Sequence, residues 1–130
     1  MFKVNENTFD TMLKDNLRWF DIVVYNFLVD KQETIGIYDE NIKTYDKETK
    51  LYSHYRDIKG VNISNLALGK IFCIKGIDNT ISKEINHCLS RLEKRGYISK
   101  IYVNNEMKTV NNAGKNKHRI IIVKGIVRED

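Results

Sequence analysis

The sequence has no proline, only two cysteines, and no long uninterrupted run of apolar residues. Two cysteines are too few for the disulfide framework of a small secreted protein. A bilayer-spanning helix needs about 18 or more apolar residues, and no segment approaches that length. The first ten residues also lack the basic segment and apolar run of a secretory signal. We therefore expect a cytoplasmic protein without a membrane segment, in which Cys73 and Cys88 are small buried residues.

Signs of catalysis and of metal binding are equally scarce. The three histidines are scattered, and no pair of cysteines or histidines has the spacing of a zinc site. A nucleophilic enzyme needs a base oriented by a third group, and no motif supplies one. The segment around Gly69 is not a phosphate loop, because Ser64 replaces its first glycine and Ile71 its metal-binding hydroxyl. The sequence predicts a protein without catalytic residues, metal or cofactor.

Acidic residues are depleted in the second half of the chain. Residues 1–60 hold nine basic and eleven acidic side chains, a net charge of −2. Residues 61–130 hold thirteen basic and six acidic side chains, a net charge of +7. The length fits one domain, 1–130, and no linker divides it. A positive half of such a domain favours binding to a polyanion.

The strongest pattern lies in residues 80–95, where apolar side chains recur at spacings of three and four. It predicts an amphipathic helix whose buried stripe is Ile81, Ile85, Cys88, Leu89 and Leu92. Asn79 or Thr80 is expected to cap its start, and Gly96 to end it in the left-handed conformation. The centre of the opposite face is free of acids and consists of Lys83, Asn86, His87, Ser90 and Lys94.

Two segments rich in β-branched and aromatic residues follow, at residues 97–103 and 119–123. We expect them to pair as an antiparallel hairpin. The loop between them, residues 104–118, contains two Asn pairs and Gly114, which suit turns. Its cationic residues are Lys108, Lys115, Lys117 and His118, and Arg119 begins the next strand. An amphipathic helix followed by a hairpin with a basic loop predicts a winged helix.

The preceding residues complete this arrangement. Residues 17–32 are apolar on most sides, which predicts a buried helix, with a strand as the alternative because of the β-branched run. Residues 9–13 predict a helical turn or lead-in. Residues 33–60 predict one irregular hairpin inserted into the fold, and Ser64 a cap for a short helix over residues 65–74. The expected class is α+β, with a core over residues 17–123 and a tail over 125–130.

The segment ISKEINHCLSRLEKRGYI, with the strand and basic loop after it, resembles the winged helix-turn-helix domains of prokaryotic DNA-binding proteins. With the helix at 17–32 and the insert YDENIKTYDKETKLYSHY, it looks most like the amino-terminal domains of replication initiators and replisome organisers of low-GC Gram-positive plasmids and phages. The resemblance implies a role in replication, transfer, partition or transcription, with replication or transfer proteins among the partners. Since the chain ends just after the second wing strand, we expect a small regulator or accessory protein.

The resemblance also implies how DNA is contacted. In that family the second helix of the motif enters the major groove, and the wing reaches the backbone or the minor groove. Groove contacts are then expected from Lys83, Asn86, His87, Ser90 and Lys94, with Arg91 reaching a base or phosphate from the edge. Phosphate or minor-groove contacts are expected from Lys108, Lys115, Lys117, His118 and Arg119. The apolar helix suggests a homodimer contact through Trp19, Phe20 and Phe27.

Two other functions fit the sequence. A winged helix can bind an acidic protein surface, and the acidic, tyrosine-rich insert would then be functional. Single-stranded DNA is the other ligand, with Tyr97, Tyr102 or the insert tyrosines as stacking platforms. A plain alternative exists for each charged segment, because a helix face is often merely solvated and a Lys/Asn loop merely a surface hairpin.

Overall fold

The computed structural model describes residues 6–110 and 117–124, with side chains from residue 9 onward. Within these residues it has four α-helices and three two-stranded antiparallel sheets, the α+β class that was predicted. The predicted tail and residues 111–116 of the predicted wing loop lie outside the described part. No helix in the described ranges is both long and apolar enough to cross a bilayer.

The amino-terminal part consists of two helices, α1 (Glu6–Lys14) and α2 (Trp19–Lys31). The helical interpretation of residues 17–32 is confirmed, and the strand alternative is wrong. Helix α2 is covered on most sides because it packs against α1 and against elements from the second half of the chain. Phe27 is buried against Phe72, at 5.3 Å between ring centroids, and Phe20 is half-buried against the same ring. Of the three residues expected at a dimer contact, only Trp19 is largely exposed, at 60%.

Residues 33–60 form one irregular hairpin, as predicted, and we call it the hairpin arm. Its inner ladder pairs β1 (Glu33–Tyr38) with β4 (Tyr55–Gly60), and its outer ladder pairs β2 (Thr44–Asp46) with β3 (Leu51–Ser53). Between the two ladders the strands are of unequal length: residues 39–43 on one side face the single residue His54 on the other and form a bulge. The bulge is closed by the His54 carbonyl, which accepts from the Asp39 amide at 2.9 Å, and by His54 Nδ1, 2.7 Å from the Ile42 carbonyl.

The short helix α3 (Asn65–Ile71) and the long helix α4 (Asp78–Lys94) follow as a closely packed pair. Ser64 caps α3 as predicted, its Oγ accepting from the Ala67 amide at 3.1 Å. The helix ends three residues before the predicted position. The helices touch at Gly69, where an added Cβ would lie 2.1 Å from Ile81 Cγ2. A glycine is needed there because any side chain would separate the two helices.

Helix α4 buries the five apolar residues that its periodicity predicted. Its end is also as predicted, since Gly96 has φ +82°. The predicted start is wrong, because Asn79 and Thr80 lie inside the helix and the capping position is Ile77, which offers no side-chain acceptor. The burial predicted for Cys73 is wrong as well: α3 stops before it, and Cys73 is exposed in the turn at φ +56°.

The predicted carboxy-terminal hairpin is formed by β5 (Ile98–Val103) and β6 (His118–Val123), in antiparallel register. Val61, the residue after β4, exchanges two backbone hydrogen bonds of 2.9 Å with Ile121 on the other edge of β6. This contact joins the base of the hairpin arm to the strand pair. The main core lies between α2, α4 and this pair, and includes Leu28, Leu89 and Ile121.

Candidate nucleic-acid interface

The outer face of α4 is exposed along its whole length. The five residues predicted at its centre are all exposed: Lys83, Asn86, His87, Ser90 and Lys94. Lys83 and Lys94 are 11 residues apart, which is close to three turns, so they lie about 16 Å apart on one side of the helix. The flanking Glu93 lies 3.7 Å from Lys100 on β5, an ion pair at the side of the face. The face therefore presents two lysines and the Asn86 amide to solvent with no acid between them.

Two grooves meet at Ser82 in the first half of α4. One lies along the helix itself and is lined by Ser82, Lys83, Asn79 and Asn86. The other, about 410 Å³ in volume, lies between α4, the start of α3 and the start of β6. Its lining includes Ser82, as in the first groove, together with His118 and Arg119 of β6 and Lys117 just before that strand. Residues 35 positions apart in the sequence thus share one concave surface.

A hydrogen-bond network fixes this surface. Arg119 donates through Nη1 to Asn65 Oδ1 at 2.6 Å and through Nη2 to the Ile63 carbonyl at 2.9 Å. Asn65 Nδ2 donates in turn to the carbonyl and the hydroxyl of Ser82, both at 3.3 Å. Burial lowers the pKa of the Arg119 guanidinium. The network ties β6 to α3 and α3 to α4, so the three walls of the groove hold a fixed geometry.

Sequence reasoning had not included Asn65 or Ser82. Ser82 stands four residues before Asn86, so helical spacing alone places it beside the predicted face. Asn65 carries no such signal, because its contact with Arg119 depends on how β6 packs beside α3.

Arg91 occupies a different environment from the one expected. Its Nε and Nη2 each donate to an Asp21 carboxylate oxygen at 2.8 Å, and Asp21 is fully buried. Burial raises the pKa of Asp21, but hydrogen bonds from Arg91, from the Arg18 amide and from the Cys88 thiol outweigh it and hold the pKa below its usual value. The hydrogen bonds to Asp21 in turn raise the pKa of Arg91. The fork of Arg91 therefore clamps α4 to α2, which removes it from the exposed face.

The first part of the predicted wing loop is attached to the hairpin arm. The Tyr38 amide donates to the Met107 carbonyl, and the Thr109 amide donates to the Tyr38 carbonyl, both at 2.9 Å. Lys108 Nζ lies 5.3 Å from the centre of the Tyr38 ring and 3.7 Å from Glu106. Lys108 lines neither groove. The arm therefore braces this side of the loop and holds Lys108 apart from the groove residues.

The other side of the loop leads back to the grooves. Lys117 Nζ lies 4.9 Å from the centre of the Tyr102 ring, a cation–π contact across the strand pair. His118 Nε2 lies 2.6 Å from Asn105 Oδ1. Both residues are exposed and line the larger groove. The predicted contact residue Lys115 lies outside the described residues.

Among residues 6–110 and 117–124, no three His, Cys, Asp or Glu side chains lie together in a way that would hold a metal ion. Comparison of the chain with protein-family models, with curated proteins and with solved structures found no match. The site is therefore interpreted from its own geometry and charge.

Proposed function

We propose that this chain is a winged helix-turn-helix protein that binds double-stranded DNA and catalyses no reaction. In this assignment α3 and α4 are the helix-turn-helix, β5 and β6 carry the wing, and Val61 supplies the short third strand beside β6. Helix α4 lies in the major groove, and the wing side of β6 lies on the backbone. A role in replication, transfer, partition or transcription on a plasmid or phage accords with the resemblance of the sequence.

One observation carries the proposal. The two grooves that meet at Ser82 bring the exposed face of α4 together with Lys117 and His118, which are distant in sequence. Lys83 and Lys94 neutralise phosphates or reach guanine, and Asn86 makes the paired contact that an amide can form with adenine. Lys117 and His118 fix the position on the backbone. Trp19, exposed at the start of α2, is the residue proposed for contact with a second copy on a symmetric site.

The test is a fluorescence-anisotropy titration with labelled duplexes at two salt concentrations. Five to eight phosphate contacts predict an affinity that falls by about 500-fold to about 20,000-fold between 50 and 200 mM salt. The double variant Lys83→Ala, Lys94→Ala is expected to weaken binding by at least about tenfold and to lower the salt slope by about two. The matched control, Lys43→Ala with Lys47→Ala, removes the same charge from exposed positions of the hairpin arm. Equal losses in the two double variants, or no duplex binding at the lower salt concentration, contradict the proposal.

The hairpin arm favours a second candidate function, binding of a protein partner. It exposes Leu51 and Tyr52 of the outer ladder by 66% and 69%, and Tyr55 at the adjoining end of the inner ladder by 65%. Exposed tyrosines and leucine on a projecting element are typical of protein contacts rather than of solvated loops. The test is copurification of a stoichiometric partner that Leu51→Ser with Tyr52→Ser abolishes while duplex affinity stays unchanged. Copurification that survives this double variant rejects the arm as the contact.

A further inference from the structure

Two arginines of this fold are packed in contrasting ways. Arg91 donates to both oxygens of a buried carboxylate. Arg119 donates only to two neutral acceptors, the Asn65 side chain and the Ile63 carbonyl. Its Nε is buried and has no hydrogen-bond partner, and no carboxylate among the described residues forms an ion pair with it. The charge of Arg119 is therefore unbalanced within the described part of the fold.

Arg119 is partly buried, and a cation withdrawn from water without a counter-ion is costly because it loses hydration and gains no opposite charge in return. Burial lowers the pKa of Arg119, which agrees with a guanidinium that has lost hydration without gaining a counter-ion. Arg119 also lines the larger groove, where Lys117 and His118 stand beside it. None of the residues that line this groove is acidic. The groove thus has the charge and the donors of an anion site.

We propose that the groove between α3, α4 and β6 binds a phosphate group, held by Arg119 and Lys117 with a hydrogen bond from the Ser64 hydroxyl. The Ser64 oxygen accepts from the Ala67 amide, and its own proton remains available for a ligand. The groove volume of about 410 Å³ also admits the sugar attached to the phosphate. The inference rests on the proposed function because it identifies the bound phosphate as one of the DNA backbone. Free phosphate has the same chemistry, so the experiment separates the two sources.

The test replaces Asn65 by its charged isostere. Asn65→Asp puts a carboxylate oxygen where Asn65 Oδ1 now accepts from Arg119 at 2.6 Å. An internal anion then balances the guanidinium and repels an external one. We expect the affinity for inorganic phosphate to fall at least about tenfold. Asn65→Asp also removes the two hydrogen bonds that Asn65 Nδ2 donates to Ser82, which offset the ion pair gained with Arg119, so no rise in Tm is expected. Asn41→Asp is the matched control, because it makes the same charge change at an exposed position of the hairpin arm.

Binding is measured by NMR titration with inorganic phosphate at constant ionic strength. The signals to follow are the Arg119 Nε–H and the backbone amides of residues 64–66. Saturable shifts in the wild type and in Asn41→Asp, lost in Asn65→Asp, support the site. Absence of saturable shifts in the wild type, or equal phosphate binding by the two Asp variants, overturns it. Should Asn65→Asp not fold, Arg119→Gln takes its place, with the backbone amides of residues 64–66 as the only signals followed, and it is expected to lose their saturable shifts.

A parallel titration with a short DNA duplex separates this inference from the proposed function. Phosphate binding without duplex binding keeps the site, assigns it to free phosphate and rejects the proposed function. Duplex binding that Asn65→Asp leaves unchanged keeps the proposed function and rejects the DNA backbone as the source of the phosphate bound in this groove. Loss of both ligands in Asn65→Asp, with both retained in Asn41→Asp, is the result expected for a backbone phosphate.

Discussion

Helix α4 and the outer part of the hairpin arm are both regular elements at the surface, but they are ordered by different contacts. Helix α4 buries five apolar side chains against α2, α3 and β5. Strands β2 and β3 are ordered by each other, with Tyr45 packed on Tyr52 at 5.2 Å and both rings exposed. An isolated two-stranded hairpin is only marginally stable in water. The core therefore fixes the candidate interface on α4, whereas the outer arm depends on local pairing and on any partner it binds.

The inner part of the arm belongs with the core. Ile37 is fully buried and packs with Val103 and Ile120 in a second, smaller cluster. Tyr38 exchanges backbone hydrogen bonds with residues 107 and 109. The bulge opposite His54 separates this inner part, which packs with the core, from the outer part, which is ordered by local pairing. Substitutions of the buried residues inside this boundary should affect the whole fold, and substitutions beyond it should not.

The largest expected effect is at the ion pair that clamps α4 to α2. Asp21→Ala leaves Arg91 without its carboxylate and should lower the free energy of unfolding by about 3 kcal/mol. Asp57→Ala removes an exposed acid from the hairpin arm and should cost less than about 0.5 kcal/mol. Urea unfolding followed by circular dichroism measures both. Similar losses in the two variants would mean that the buried ion pair contributes no more to stability than an exposed acid of the hairpin arm.

The same ion pair gives stability a dependence on pH. The pKa of Asp21 is lowered in the folded state from its usual value of 3.8. Its contribution is therefore fully present above that value, and it is lost as the pH falls through the lowered folded pKa. Unfolding free energies measured across this acid range should fall more steeply for the wild type than for Asp21→Asn. Parallel curves would show that another titrating group causes the loss of stability at low pH.

The next effect compares two glycines. In Gly69→Ala the added Cβ would lie 2.1 Å from Ile81 Cγ2, so α3 and α4 must separate, at a cost of about 2 kcal/mol. In Gly36→Ala the nearest atom in the arm is Asp57 Oδ1 at an ordinary 3.5 Å, and stability should change by less than about 0.5 kcal/mol. Thermal unfolding gives both values. Because Ser82 lies on α4 close to this contact, Gly69→Ala should also weaken duplex binding, and unchanged binding would argue against a rigid groove.

Much of this fold was predictable where one face of an element is buried. The stripe from Ile81 to Leu92 repeats with the period of a helix, and the two later segments are rich in the β-branched and aromatic residues that favour strands. The start of α4 was not predictable, since Asn79 is a good capping residue by type and tertiary packing places the helix start before it. Cys73 was misplaced because its apolar neighbours continue a pattern that the turn interrupts.

The candidate site was predictable only in part. Exposure of Lys83, Asn86 and Lys94 follows from helical spacing. The pairing of Arg91 with Asp21 and of Arg119 with Asn65 joins residues 70 and 54 positions apart, so periodicity contains no information on it. Arg91 was placed at the edge of the exposed face as a DNA contact, because the buried acid that pairs with it could not be recognised inside an apolar helix.

The smallest effect concerns the starts of helices α3 and α4. Ser64 and Ile77 hold nearly the same extended backbone, with φ and ψ of −81° and 161° and of −75° and 160°. Ser64 accepts from a helix amide, whereas Ile77 is 73% exposed and offers no acceptor. Ile77→Ser should therefore stabilise the protein by up to about 1 kcal/mol, and Ser64→Ala should destabilise it by a similar amount. Thermal unfolding tests both changes. If Ile77→Ser lowers the stability, the apolar contacts of the isoleucine stabilise the protein by more than a capping hydrogen bond does. If it raises the stability, the buried stripe of α4 fixes the helix although its start has no cap.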